Sequence, residues 1–122
     1  MANKEVVLKF YEEVFNGWDV SKVPQYMRED YRQHNPTVED GREGFLKFCE
    51  HFVAMKPHMD ISLIAEDGDI VMVFFKCTFG THDHIAKVCD IYRLQDGLLA
   101  EHWDILQQVD PNQVPANPNG QF

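Results

Sequence analysis

The hydrophobic period of this chain changes once, near residue 59, from that of a helix to that of a strand, and the switch restricts the class of fold open to it. Beyond it, Met59 to Glu66 and Ile70 to Phe79 alternate apolar with polar residues on either side of Asp67-Gly68-Asp69, a hairpin signal. Ile85 to Leu94 and Leu98 to Gln107 repeat the pattern around Gln95-Asp96-Gly97. The second half therefore reads as an antiparallel meander of four strands.

Before the switch, Val7, Phe10, Tyr11, Val14 and Phe15 recur at the spacing of one helix face, with Asn3 placed to cap the helix and Gly17 to end it. Val20 to Met27 reads as a second, shorter helix containing Pro24, and Tyr31 to Asn35 as a short strand stopped by Pro36. Asp40-Gly41-Arg42-Glu43 is a capping-box arrangement that opens a third helix. On it Phe45, Phe48, Cys49 and Phe52 share a core-facing stripe until Pro57 breaks the run. Helices followed by an antiparallel sheet give an α+β architecture. Three N-terminal helices packed on a curved sheet enclose a cone-shaped barrel whose concave side is the natural pocket. Residues 1–109 form this one domain, and the Pro- and Asn-rich tail, 110–122, is expected to be extended or disordered.

Eleven basic against twenty acidic residues, a formal charge of -9, argue against nucleic acid and anionic membranes as partners, because neither is held without clustered Lys and Arg. No segment approaches membrane-spanning length. The start, MANKEVVLKFYEEVF, mixes acids into its apolar residues and does not read as a signal peptide, so a cytoplasmic location is expected. Cys49, Cys77 and Cys89 are widely spaced with no CxxC pair, which reads as reduced, packed thiols.

The stretch AEHWDILQ, Ala100 to Gln107, is a strand with three ionisable residues. His102 and Asp104 are two apart and share a face. Which residues oppose them depends on the turn before. A two-residue Asp96-Gly97 turn sets Ile91 against His102. A three-residue loop with a left-handed Gly97 sets Asp90 against His102 and Val88 against Asp104, and is preferred. That choice gathers Val88, Asp90, Tyr92, Ala100, His102, Asp104 and Leu106 inside and leaves Arg93, Glu101 and Trp103 outside. Two carboxyl groups and an imidazole in an apolar hollow call for a chemical reason, because lone buried charge is unfavourable. Burial and a neighbouring acid favour the protonated form of a carboxyl group, and an acid so poised can take a proton from carbon and return it. His102 is placed to orient it or to donate to a developing oxyanion, and His34 to reach the same cavity from another wall.

The His82-Asp83-His84 run suggests a metal pair completed by Asp90 or His102, but the glutamate such a pair wants a few residues later is replaced by Ala86, Lys87 and Val88; a solvated loop accounts for the run more simply, and no metal is assigned. Nucleotide-binding glycine motifs and a GxSxG nucleophile are absent.

The order of helices and curved sheet, with QHNP at Gln33 to Pro36, DGREGF at Asp40 to Phe45, CDIYRLQDG at Cys89 to Gly97 and AEHWD at Ala100 to Asp104, resembles the SnoaL-like polyketide cyclases. These belong to the superfamily of nuclear transport factor two, with ketosteroid isomerase and scytalone dehydratase. The resemblance implies a cone-shaped α+β barrel, a homodimer packed through the outer sheet face, and acid–base chemistry without metal or organic cofactor. It implies that an aspartate at the place of Asp104 serves as general acid and base for an intramolecular aldol ring closure. The cyclases carry a histidine where Asp90 aligns, so this chain departs from them there.

Residues and resemblance together give a cofactor-independent enzyme acting on a small carbonyl compound by proton abstraction and return. Asp104 is the proposed base and acid, His34 and His102 position or polarise the substrate oxygen, and Asp90 influences the protonation of Asp104. Trp18, Tyr31, Asn35 and Tyr92 are the candidate substrate contacts. A non-catalytic ligand-binding or dimerisation module is the alternative from another class. A dehydratase or isomerase on the same residues differs only in where the proton returns.

Overall fold

The computed structural model describes residues 1–122. Helix α1 (Asn3–Phe10) runs on into a π-helical turn, Tyr11–Phe15, where the Asn16 N–H reaches the Tyr11 carbonyl at 2.8 Å. Every residue of the expected stripe is buried, Val7, Phe10 and Val14 completely. Phe10 is the hub, with the rings of Tyr11, Phe15, Tyr26, Phe45 and Tyr92 at centroid distances of 5.2–6.4 Å. Burying each such side chain contributes about 1.5–3 kcal/mol. Asn3 does not cap the helix: Ala2 holds the cap position, and the Asn3 side chain donates to the Gly68 carbonyl at 3.2 Å. Gly17 does close it, since a Cβ there would lie 2.5 Å from the Glu13 carbonyl oxygen.

A 3₁₀ segment, Val20–Gln25, leads into strand β1 (Met27–Gln33). Helix α2 (Gly41–Phe52) follows, ending in the short 3₁₀ turn Val53–Met55. Asp40 sits at its cap position, yet the capping box does not form. The Asp40 carboxylate instead accepts the Gln33 N–H at 2.8 Å, tying the helix start to the end of β1. Strands β2 (Pro57–Asp67), β3 (Ile70–Phe79), β4 (Ala86–Gln95) and β5 (Leu98–Gln108) then form the expected antiparallel meander.

The sheet is mixed rather than purely antiparallel. Its order is β1-β5-β4-β3-β2, with β1 parallel to β5. The sheet curls around the helices without closing.

The register between β4 and β5 also differs from the expected one. Asp96 and Gly97 both take left-handed φ angles, 53° and 76°, and form a two-residue turn that pairs Gln95 with Leu98. A β-bulge then inserts Ala100, so that Arg93 meets Glu101, Tyr92 meets His102 and Asp90 meets Asp104. Beyond the bulge the pairing is displaced by two residues, so the side chains from Glu101 onward keep their expected face, whereas between turn and bulge it is displaced by one and Leu99 turns into the core opposite Leu94. Residues 110–122 form neither helix nor strand, and the Phe122 ring stacks on Phe74 of the outer sheet face at 6.1 Å. No helix is long and apolar enough to cross a membrane.

Gly44, in the first turn of α2, packs against the preceding loop so closely that a Cβ would fall 2.0 Å from the Glu39 carbonyl oxygen. Gly44→Ala is therefore expected to lower stability by about 1–3 kcal/mol through overpacking, against the gain of about 1 kcal/mol that alanine brings as a helix former. Urea midpoints of the two proteins measure the difference. Equal or greater stability in the variant would show that the start of α2 can shift.

Candidate functional site

Between the concave sheet face and α2 lies a cavity of about 410 Å³ with twenty lining residues, fourteen of them hydrophobic. Phe45, Phe48 and Phe52 of α2 form one wall, so the stripe expected to be core also borders the cavity. Strands β4 and β5 supply Asp90, Tyr92, His102 and Asp104, and the end of β1 with its following loop supplies Tyr31, Gln33 and Asn35.

One side-chain oxygen organises the polar wall. Gln33 Oε1 accepts the backbone N–H of His34 at 3.1 Å, that of Asn35 at 3.0 Å and His102 Nδ1 at 2.7 Å. Backbone N–H groups only donate, so the atom they share is the amide oxygen and Nδ1 of His102 must carry a hydrogen. That leaves His102 Nε2 facing Asp90 Oδ1 at 2.9 Å with one proton between them. Both ring nitrogens are thereby engaged. His102 positions Asp90; it has no nitrogen left to polarise a substrate oxygen, which corrects the role expected of it.

The other oxygen of Asp90 accepts the hydroxyl of Tyr11 and, at 3.3 Å, that of Tyr92, and the two phenols stand 3.0 Å apart. Burial first, and then the negative charge of Asp90, push the phenols of Tyr11 and Tyr92 well above their ordinary value, so both remain donors. Tyr31 is raised likewise, by burial, then by Asp90 and by Asp104, with the nearby Gln33 amide acting the other way. Cys77 in the same wall is pushed up to about 12, by burial and then by Asp90, which makes it an inert thiol.

Asp104 is held differently. The Asn35 side-chain oxygen accepts from the Thr37 N–H at 2.9 Å and the Thr37 hydroxyl at 2.7 Å, which turns the amide nitrogen towards Asp104 Oδ2 at 2.8 Å. The second carboxylate oxygen accepts no protein donor. It borders the cavity in a half-buried residue beside apolar groups.

Two expected site residues lie elsewhere. His34 points to the outer face, where its ring stacks on Trp103 at 4.8 Å and Nε2 meets Glu101 at 2.6 Å. Adjacent strand residues face opposite ways, so Gln33 and Asn35 turn inward and His34 between them turns out. Glu101 is held below the usual carboxylate range by His34 and then by Arg93, whose Nε lies 2.9 Å away. Trp18 is 46% exposed, donates to the Pro57 carbonyl at 2.8 Å and does not line the cavity. The geometry thus joins Asp90, His102, Asp104, Tyr31, Asn35 and Tyr92, and leaves His34 and Trp18 out.

Tyr11 and Gln33 were not anticipated. The one available signal for Tyr11 was a hydroxyl on an otherwise apolar helix face, which must find a partner once buried. The His82 and His84 rings pack on each other at 4.6 Å, His82 also on Phe79, away from the acids. The ligand-type atoms of Asp90, His102 and Asp104 do lie within 4.8 Å of one another, but an ion there would have to displace the His102–Asp90 hydrogen bond.

The sequence model of the SnoaL-like domain matches residues 7–102. Among solved structures, IdmH of Streptomyces antibioticus, described as a candidate polyketide cyclase, is 20% identical with a TM-score of 0.73, over 87% of this chain and 92% of that one. A candidate ketosteroid isomerase from Kribbella flavida is 20% identical with a TM-score of 0.74, over 94% and 83%. A cystatin-fold protein of Novosphingobium aromaticivorans is 21% identical with a TM-score of 0.77, over 86% and 98%. These likenesses show the fold. No curated protein matches the sequence.

Two measurements check the polar wall. Nitrogen NMR of the imidazole should show His102 protonated at Nδ1 near neutral pH, and Gln33→Ala should abolish that fixed tautomer; an Nδ1 without hydrogen in the parent would contradict the network. All four tyrosines are raised, Tyr26 to about 12 by its hydrogen bond to Glu13. Native phenols should therefore stay protonated at about pH 11, whereas the urea-unfolded chain ionises near pH 10. Stability is fully present below the unfolded value and falls as pH rises above it, because the unfolded chain has then released protons the native one keeps. Tyrosinate absorbance follows both states, and a native phenol ionising at its ordinary value would refute the burial argument.

Proposed function

The chain belongs to the SnoaL-like domain family, and from that membership and the cavity geometry we propose that it is a cofactor-independent acid–base catalyst acting on a small, largely apolar carbonyl compound. The observation that carries the proposal is Asp104, pinned through one oxygen by Asn35 with the other left free at the cavity wall. A base needs a free oxygen within reach of the substrate and a fixed orientation, and Asp104 has both.

In this reading Asp104 takes the proton from the carbon next to the carbonyl. The developing enolate oxygen accepts a hydrogen bond from the Tyr31 phenol, which burial keeps protonated. Asp104 then returns the proton, to the new oxygen after an aldol ring closure or to a different carbon in an isomerisation. The candidate cyclase and candidate isomerase with this fold support that range of outcomes. His102, Asp90, Tyr11 and Tyr92 act as a rigid polar buttress rather than as reacting groups.

The test uses deuterium exchange. Wild-type protein, incubated in deuterated water with a panel of neutral cyclic ketones and diketones, should accelerate exchange next to a carbonyl in at least one of them. Asp104→Asn should reduce that acceleration by at least about a hundredfold while circular dichroism stays unchanged, and Tyr31→Phe by roughly tenfold or more. Full exchange activity in Asp104→Asn would refute the assignment. Binding of ketones without exchange by the wild type would favour the ligand-binding module.

A further inference from the structure

None of the residues lining the cavity is Lys or Arg, and apart from two weakly acidic phenols and a thiol its ionisable side chains are Asp90, His102 and Asp104. Because His102 Nδ1 donates to Gln33, one proton is shared across the 2.9 Å between Nε2 and Asp90. On nitrogen it makes an ion pair, on oxygen it leaves two neutral groups, and either way the pair sums to zero. Asp104, with the Asn35 amide as its protein donor, adds one negative charge that nothing in the cavity offsets.

We propose that this cavity, the same one the catalytic reading uses, selects its ligands by charge: it takes apolar molecules that are neutral or carry an ammonium group, and rejects the same molecules when they carry a carboxylate or phosphate. The aromatic and aliphatic walls exclude water, so one fixed charge acts at higher strength than it would in solvent. An anionic ligand would lose its hydration and meet Asp104 with no cation to compensate. An ammonium ligand gains the free Asp104 oxygen and the faces of neighbouring rings such as Tyr31 and Phe45. The arginines nearest in sequence do not reverse this: Arg32 is exposed and pairs across the strands with Glu101, and Arg93 lies on the outer sheet face, bound to Glu101 at 2.9 Å. The formal charge of -9 acts in the same direction on approach.

The experiment compares three probes with one skeleton near neutral pH, 1-naphthalenemethanol, 1-naphthylmethylamine and 1-naphthoate, by isothermal titration calorimetry. The alcohol and the amine should bind the wild type at least about tenfold more tightly than the carboxylate. Asp104→Asn should close most of the gap between amine and carboxylate and change alcohol affinity by less than about threefold. Leu106 lines the cavity but is 57% exposed, so Leu106→Lys is a second variant that keeps the fold, and it should raise carboxylate affinity. Carboxylate binding as tight as that of the alcohol, a gap that survives Asp104→Asn, or failure of the alcohol to bind would overturn the proposal. Deuterium exchange is read separately: charge selection without exchange removes the catalytic reading alone, and exchange without charge selection removes this one alone.

Discussion

The parallel pairing of β1 with β5 sets Gln33 beside His102, and the rest of the polar wall depends on that contact. A single amide oxygen at the end of β1 then holds three donors from one strand and a loop: His102 from β5, and the backbone of His34 and Asn35 just beyond β1. Through His102 it orients Asp90. Through the backbone of Asn35 it fixes the side chain that holds Asp104. The two carboxyl groups lie directly across β4 and β5 from each other, so without separate partners they would compete for the same protons. Gln33 gives each its own partner.

Most of the fold was legible because it follows from periodicity. The stripe Val7, Phe10, Tyr11, Val14 and Phe15, the four meander strands and the positions of both hairpins are local patterns that a short window of sequence contains, although the second turn has two residues where three were expected. The partner of β1 was not legible, since a parallel pairing across the chain leaves no turn between the strands to mark it. Nor was the Ala100 bulge, because an inserted residue does not disturb the alternation on either side of it. The inner face of β4 and β5 was nonetheless read correctly, because turn and bulge together displace the pairing by an even number.

The site was legible to the extent that it lies on those strands. Asp90, His102, Asp104 and Tyr92 follow from alternation alone, and the cavity contains all four. His34 failed on the same principle applied one strand earlier: Gln33 and Asn35 face inward, so the residue between them faces out, where Glu101 and Trp103 receive it. An imidazole is the more usual catalytic group, but parity along the chain, not residue type, decides that Gln33 enters the cavity and His34 does not. Capping failed in a comparable way. Asp40 stands where a cap belongs, but a strand N–H competes for its carboxylate, and the tertiary contact wins over the local one.

Asp90 and Asp104 show how one cavity gives two identical side chains different work. Asp90 is met by two phenols and an imidazole, a density of donors that stabilises charge and resists displacement. A group so fully satisfied gains little by accepting a proton from carbon, because each of those bonds would weaken as it did so. Asp104 has one protein donor and an open oxygen, so a substrate proton can be accommodated at the cost of little existing structure. Where the resemblance to the cyclases implies a histidine, this chain places Asp90 and couples it to an imidazole on the next strand, keeping the net charge of the pair the same whichever atom holds the proton. The substitution therefore leaves the electrostatic setting of Asp104 close to that of a site with a neutral histidine, which is why a second acid in the pocket is compatible with the chemistry proposed for the first.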